Sequence, residues 1–275
     1  MTTVDTTDSS SAEPSRYTFA GNIGEHAAQQ RRVLGEILDE HTVDVLSRVG
    51  VASGWRCLDL GAGAGSITAW LANQVGPGGH VTALDLDTHQ IQAADNVTVV
   101  TGDVRGADVR ETSFDLIHAR TMLVFLPDRE RIVQKLAGAL KPGGTLVISD
   151  FAEPATPLLL HSPSPPAAEA YDLFQRLVPV VMQANGGDPY WGRRVPLAVR
   201  AAGLIDVNTV VHTRLWYGGQ AGNLLHLHNS YLLQEALLAR GMTTDQLDLL
   251  RVAMVDPQTM AYLYPLHTTT GRKPS

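Results

Sequence analysis

Apolar and polar positions alternate along the chain in a pattern that predicts strands and helices in turn. The first apolar runs have the length of buried strands, and they begin at Cys57, His80, Asn96, Phe114 and Leu140. Apolar residues recur at helical spacing in residues 66–75 and again after Pro127, where Asp128 is a predicted helix cap. This order predicts an α/β fold built on a parallel sheet.

Helical patterns also flank this alternating core. Residues 24–49 predict N-terminal helices, and residues 170–182 and 191–202 predict two later ones, with Pro179 expected to kink or end its helix. Five prolines in residues 154–166 predict a connecting loop. Alternating residues from Asp206 through Gly219 predict a sixth strand.

The most specific motif follows the first strand, in the letters CLDLGAGAGSITAWLA from Cys57. Gly61, Gly63 and Gly65 let the backbone turn tightly and approach a ligand where a Cβ would clash. The next helix begins there and directs its free N–H groups toward that ligand. The motif predicts a nucleotide-like cofactor beside Asp59.

Acidic side chains end the next two strands. Asp85 lies about twenty residues beyond the glycines, where a carboxylate can accept both hydroxyls of a ribose. Asp103 is expected to accept a hydrogen bond from an exocyclic adenine amine. A nicotinamide dinucleotide is the competing cofactor, but Ser66 stands where its G-x-G-x-x-G motif requires a third glycine.

With these motifs and the turn KPGG before strand five, the chain from about Tyr17 onward resembles the class I S-adenosylmethionine-dependent methyltransferases. The segment HARTMLVFLPD from His118 is similar to the quinone-biosynthesis and natural-product enzymes of that family. The resemblance implies a Rossmann-like seven-stranded sheet with N-terminal helices and helical cap insertions. It also implies S-adenosylmethionine as the cofactor and methyl transfer to an O, C or N atom of a small, fairly apolar metabolite in natural-product biosynthesis. The residues that it implies for cofactor binding are Asp59, Gly61, Gly63, Gly65, Asp85, Leu86, Asp103, Val104 and Ala119.

A single domain is expected over residues 16–275, after a disordered tail in residues 1–15. It comprises N-terminal helices in 16–52, a cofactor-binding core in 53–151, and helical cap segments in 152–189 and 220–258. In the resembling family a tight hairpin joins the last two strands, whereas about forty residues separate Tyr217 from Ala261 here. One helix is predicted in residues 224–238, and Thr243 and Gln246 have capping-box spacing for another. The cap segments are expected to roof an apolar pocket at the carboxyl ends of the strands.

The composition favours a small-molecule enzyme. The chain has a net charge of −7 and no cluster of Lys and Arg, which argues against a nucleic-acid substrate. Cys57 is the only cysteine, so no intramolecular disulfide can form, and a cytoplasmic location is expected. The N-terminus has no apolar run, so neither a signal peptide nor a membrane anchor is expected. Apolar N-terminal helices and the insertion favour a homodimer or a larger homo-oligomer.

Methyl transfer asks little of the protein beyond positioning, because the sulfonium already activates the methyl group. An alcohol or an acidic C–H group would still need a base, and His161, His226 and His228 are the candidates in the predicted roof. His226 and His228 cannot share a metal ion on a helix, where residues two apart diverge by about 200°, and no metal is expected. The residues expected to contact substrate are Tyr17, with Phe19 as its alternative, and Met122, Phe151 and Tyr171.

Two functions of different class are consistent with the sequence. The segment HART at residues 118–121 stands where methyltransferases of nucleobases and glutamine carry [ND]-P-P-[YF], which argues against those substrates. Arg120 in this segment either braces the adjacent loop through a carboxylate or lies exposed. The alternative to methyl transfer is a protein that binds S-adenosylmethionine but catalyses a non-methylating reaction such as cyclisation.

Overall fold

The computed structural model describes residues 24–107, 109 and 112–275. The helices in these ranges are α1 Glu25–Val49, α2 Ser66–Val75, α3 Arg129–Ala139, α4 Pro165–Ala184, α5 Trp191–Ala201, α6 Ala221–Leu232, α7 Gln234–Leu238 and α8 Thr244–Val255. The strands are β1 Arg56–Leu60, β2 His80–Asp85, β3 Val97–Thr101, β4 Phe114–Arg120, β5 Leu140–Phe151, β6 Leu159–His161, β7 Ile205–His212, β8 Leu215–Tyr217, β9 Met260–Tyr262 and β10 Leu266–Arg272. A 3-10 turn, Leu123–Phe125, follows β4.

Seven strands form one sheet in the order β3-β2-β1-β4-β5-β10-β7. Strands β1 to β5 run parallel, and β10 is antiparallel to both of its neighbours. This arrangement confirms the predicted α/β fold and its seven-stranded sheet. The strand order reverses between β1 and β4, which is where open α/β sheets bind ligands.

Helices cover both faces of the sheet because the strands are apolar on both sides. One face packs against α2 and the end of α1 through residues such as Leu46, Leu71 and Val81. The other face packs against α3 and α5 through residues such as Leu136 and Val195. Cys57 is fully buried in β1, and this burial raises the pKa of its thiol to about 12.

Two predictions about the strands after β5 were incomplete. The proline-rich segment 154–166 was predicted to be a loop, but it contains β6. The sixth strand predicted from Asp206 is divided, because β7 ends at His212 and β8 joins β6 and β9 in a second sheet of order β6-β9-β8. The chain changes sheets where the Thr213 hydroxyl donates to the Leu263 carbonyl and the Leu263 N–H donates to the Arg214 carbonyl. These contacts turn it toward the partner strand β9.

The helices also differ from prediction in two places. The N-terminal helices are one helix, α1. The single helix predicted in residues 224–238 is divided at Leu233 into α6 and α7. Pro179 was expected to kink or end its helix, and α4 continues through it to Ala184 although a proline removes one intrahelical donor. The capping box of Thr243 and Gln246 on α8 is confirmed, and no described helix has the length and apolar character needed to span a membrane.

Candidate functional site

The glycine-rich loop between β1 and α2 adopts a backbone that favours glycine at three positions. Gly61, Gly63 and Gly65 have φ angles of 66°, 57° and 82°, in the left-handed region. The Gly61 N–H donates to the Leu84 carbonyl at 2.8 Å, which fixes the loop against β2. A Cβ added to Gly61 would lie only 3.1 Å from the Cβ of Met122. The loop therefore packs directly on the segment that follows β4.

Asp85 ends β2 with its carboxylate beside this loop. Its Oδ2 accepts the Gly63 N–H at 2.8 Å, and its Oδ1 accepts the Asp87 N–H at 3.0 Å. These bonds fix the carboxylate, and each oxygen keeps a lone pair for a ligand hydroxyl. The next side chain, Leu86, is 57% exposed and offers an apolar surface at the same strand end.

Asp103 lies beyond β3 and is held by Arg105. The guanidinium Nε donates to both carboxylate oxygens at 3.0 and 2.9 Å, and these bonds lower the pKa of Asp103. An adenine amine would have to share this carboxylate with Arg105. The side chains of Val104 and Ala119 are buried in the core, so only their backbone is placed to face a ligand.

Asp59 is buried beneath the loop, and its side chain faces other protein groups. Its Oδ2 accepts the Thr68 hydroxyl of α2 at 2.6 Å, and its Oδ1 accepts the His118 Nδ1–H of β4 at 2.8 Å. Both Asp59 and His118 are 1% exposed. The contribution of Asp59 to the site in this structure is therefore to hold the loop through β1, β4 and α2.

Arg120 joins the end of β4 to α1. Its two terminal nitrogens donate to Asp39 Oδ1 at 2.8 Å and to Thr42 Oγ1 at 2.9 Å. The structure thus pairs Arg120 with a carboxylate, although the partner is a helix and not the adjacent loop. The following residue, Thr121, has a φ of 49°, which turns the chain sharply into the pocket wall.

A pocket of about 720 Å³, including its open mouth, lies next to Thr121. Its walls come from α1, the turn after β4, the end of β5, α4 and α6, and they are mainly apolar. Polar groups include a buried pair in which Gln30 Nε2 donates to Asn229 Oδ1 at 2.6 Å. Because Thr121 precedes Met122, which packs on Gly61, the pocket adjoins the glycine-rich loop.

The structure places the predicted substrate residues differently. Phe151 lines the pocket, and Met122 lies between the pocket and the glycine-rich loop. Tyr171 is buried behind the pocket wall, with its hydroxyl 3.3 Å from His226 Nε2. Tyr17 and its alternative Phe19 lie outside the described residues, as does the predicted tail in residues 1–15.

None of the three predicted histidine bases is among the residues that line this pocket. His161 is exposed on β6. His226 is fully buried on α6, and burial lowers its pKa to about 3. The Nδ1 of His228 lies 3.1 Å from the Nδ1 of His26. The pKa of His228 is lowered, mainly by burial and secondly by the charge of His26. Within the described ranges, no three His, Cys, Asp or Glu side chains are grouped to hold a metal ion.

Sequence reasoning missed Glu153, the one acidic side chain among the described residues that line the pocket. It follows β5 by two residues, and its N–H donates to the Pro189 carbonyl at 2.7 Å. Burial raises the pKa of its carboxyl from 4.5 to about 7. The available signal was an acid directly after a buried strand in an otherwise apolar stretch.

The fold and site define a cofactor-binding α/β enzyme domain with an apolar pocket beside its glycine-rich loop. Residues 58–148 match the family described as a methyltransferase domain. The methyltransferase GfsG of Streptomyces halstedii is 30% identical over 128 residues, which cover 43% of this chain and 45% of GfsG. A demethylmenaquinone methyltransferase of Staphylococcus aureus is 30% identical over 121 residues, covering 42% of this chain and 50% of that protein.

Residues 58–148 carry a methyltransferase domain of the class I S-adenosylmethionine-dependent type, as the sequence motifs predicted. The chain spans about half the length of the curated relatives that it matches. The fold is also that of phosphoethanolamine N-methyltransferase 2 from Haemonchus contortus, solved with S-adenosyl-L-methionine. That structure is 17% identical with a TM-score of 0.55, and the match covers 90% of this chain and 56% of that one.

Proposed function

We propose that the protein transfers a methyl group from S-adenosylmethionine to an O, C or N atom of a small, mainly apolar metabolite. The observation that carries this proposal is the contact between the glycine-rich loop and the segment that borders the apolar pocket. Gly61 of the cofactor loop packs on Met122, and the preceding residue Thr121 lines the apolar pocket. A molecule in the pocket would therefore lie beside a cofactor on the loop.

The residues around the loop fit this cofactor. Asp85 offers fixed acceptor oxygens for a ribose diol, and Leu86 offers an exposed apolar side chain for an adenine ring. When bound, S-adenosylmethionine supplies a methyl group on a sulfonium, which needs no further activation by the protein. The chain's own task is to hold the acceptor in line and to exclude water.

The pocket supports a small apolar acceptor. Its walls are mainly apolar side chains from α1, α4 and α6, with few polar groups among them, as is typical of small-molecule sites. The match to GfsG supports methyl transfer, and the name of the demethylmenaquinone methyltransferase gives a small quinone as its acceptor, which favours the same class. We extend the proposal to a role in natural-product biosynthesis.

The proposal is tested by giving the purified protein S-adenosylmethionine with an isotopically labelled methyl group. Pools of small phenols, aliphatic alcohols, carbon acids and amines are added, and labelled products are sought by mass spectrometry. A labelled product that forms more slowly in Asp85→Ala than in Asp87→Ala, at a concentration of S-adenosylmethionine below saturation, supports the proposal. Cofactor binding without any labelled product from any pool contradicts it, and unlabelled isomers of the added compounds would then indicate the cyclase alternative.

The division into one domain over residues 16–275, a homo-oligomeric state and a cytoplasmic location also stay proposals. Light scattering of the purified chain measures the oligomeric state directly. A monomer at micromolar concentration would contradict the expected assembly.

A further inference from the structure

Glu153 occupies an unusual position for a carboxylate. It lies in the wall of an apolar pocket, among side chains such as Phe125, Val178 and Leu225. Arginine, lysine and histidine do not occur among the described residues that line this pocket. A carboxylate without a cationic partner is costly to desolvate, so it is retained where a ligand makes use of it.

The backbone holds Glu153 at the carboxyl end of the sheet, on the cofactor side. Strand β5 runs beside β4, and the Thr121 N–H donates to the Ser149 carbonyl at 2.8 Å. Four residues further on, Glu153 is fixed by its N–H bond to Pro189. Thr121 and Glu153 line the same pocket, and Thr121 adjoins the segment that contacts the glycine-rich loop.

The groups that face Glu153 do not neutralise it. Tyr264 is its titratable neighbour, and burial, Tyr171 and Glu153 together keep the pKa of that phenol well above its usual value. Gln30 and Asn229 are the polar side chains on the α1 and α6 walls, and they are already bonded to each other. The carboxylate therefore faces the pocket interior as its one strong proton acceptor.

We infer that Glu153 is the general base of the reaction and that the acceptor carries a hydroxyl group, which Glu153 deprotonates during methyl transfer. This inference rests on the proposed function. The hydroxyl oxygen forms a bond to the methyl carbon while the carbon–sulfur bond breaks, and the bonding pair stays with sulfur. The hydroxyl proton passes to a carboxylate oxygen of Glu153, and bulk water later removes it. The products are a methyl ether and S-adenosylhomocysteine.

The predicted histidines are less suited to this task. His226 is fully buried behind the pocket, and its ring lies 5.5 Å from that of Tyr264, which separates it from the interior. His161 and His228 do not line the pocket. Geometry thus selects Glu153, because a base must come within hydrogen-bond reach of the proton that it removes.

The test compares Glu153→Gln, which keeps the side-chain shape but cannot accept the proton, with Glu153→Asp and the wild type. The probes are the phenol and alcohol pools with labelled S-adenosylmethionine. We expect Glu153→Gln to lower kcat by about 100-fold or more, with KM and the Kd for S-adenosylhomocysteine within threefold of wild type, and we expect partial recovery in Glu153→Asp. The kcat of the wild type should rise with pH through about 7, and this limb should be absent in Glu153→Gln.

A second readout needs no turnover. Dicyclohexylcarbodiimide modifies protonated carboxyls in apolar surroundings, so peptide mapping should find Glu153 labelled below about pH 7 and unlabelled well above it. Glu130 on α3, whose side chain is 69% exposed, is the internal control and should stay unmodified.

The outcomes separate the inference from the proposed function. An ether product from wild type with a kcat within threefold in Glu153→Gln would overturn the role of Glu153 and leave methyl transfer standing. Products only from amines or carbon acids would overturn the hydroxyl acceptor. Absence of product from every pool would overturn the proposed function and the inference with it, and failure of the carbodiimide to label Glu153 at any pH would overturn the inference alone.

Discussion

His118 Nδ1 lies 2.8 Å from Asp59 Oδ1, and this buried pair joins the two strands between which the strand order of the sheet reverses. The two residues are direct partners in the register of β1 and β4. The Thr68 hydroxyl donates to the second oxygen of Asp59 and adds α2 to the same cluster. The carboxylate of Asp59 thus joins β1, β4 and α2 by hydrogen bonds beneath the glycine-rich loop.

Removal of His118 should therefore destabilise the fold strongly. His118→Ala leaves Asp59 buried with one oxygen unpartnered, and we expect the free energy of unfolding to fall by at least about 2 kcal/mol. His89→Ala is the control, because the side chain of His89 is 61% exposed. Urea unfolding followed by circular dichroism measures both. Equal stability of the two variants would show that the buried pair contributes little.

Gly61→Ala should destabilise the fold more than Gly54→Ala does. Both glycines have left-handed φ angles, 66° and 84°. Both variants should therefore lose about 1–2 kcal/mol of folding stability, because alanine is strained in a left-handed backbone. Only at Gly61 would the new Cβ press on Met122, whereas nothing lies within 4 Å of it at Gly54. We expect a further loss of about 1–3 kcal/mol in Gly61→Ala, measured by urea unfolding. Equal losses in the two variants would contradict the close packing.

Substitution of Asp85 should weaken cofactor binding. Asp85→Ala removes the oxygens proposed to accept the ribose diol and also the partner of the Gly63 N–H, so binding of S-adenosylhomocysteine should weaken by about 1–3 kcal/mol. Asp87→Ala keeps the backbone N–H that bonds to Asp85 and is the matched control. Isothermal titration calorimetry measures both Kd values. A Kd for Asp85→Ala equal to that of the control would remove Asp85 from the cofactor site.

The stability of the fold should depend on pH through Glu153. The folded protein raises the pKa of this carboxyl from 4.5 to about 7 because of burial, so the folded state binds its proton more tightly than the unfolded state. The resulting stabilisation is present below about pH 4.5 and is lost as the pH rises to about 7.

Glu153→Gln should not show this loss. The Tm of Glu153→Gln minus that of the wild type should increase between about pH 5 and about pH 8 and then level off. Asp150 is fully buried, and burial raises its pKa to about 8, but it is present in both proteins and cancels in the difference. A difference in Tm that stays constant over this interval would show that Glu153 titrates normally.

The sequence predicted the parallel strands and the glycine-rich loop well because each of these features has a local cause. Apolar runs specify β1 to β5 through burial alone, and the three glycines specify a left-handed loop that other residues resist. Asp85 could be placed by its distance from this loop and its position at a strand end. The hydrogen-bond partners of Asp59 could not be predicted, since His118 comes from a strand distant in the sequence.

The apolar pocket and the segments around it were harder to predict, because their structure depends on contacts between distant parts of the sequence. The strands β6, β8 and β9 have three residues each and no periodicity long enough to detect. The histidines on α6 were placed on a helix correctly, but the side of the helix that faces the pocket is set by packing against α1. Glu153 stands outside any motif, and only its apolar surroundings in the folded chain distinguish it.

The small sheet of β6, β9 and β8 joins three segments that lie far apart in the chain: the one after β5, the one after β7 and the one before β10. An insertion or deletion in any of these segments would have to preserve the pairing of Trp216 with Ala261 and of Leu159 with Ala261. A change of loop length that alters the choice of acceptor would therefore also tend to disrupt this sheet. Exchange of side chains on α1, α4 and α6 leaves the pairing intact, so specificity should evolve by point substitution within a frame of constant length.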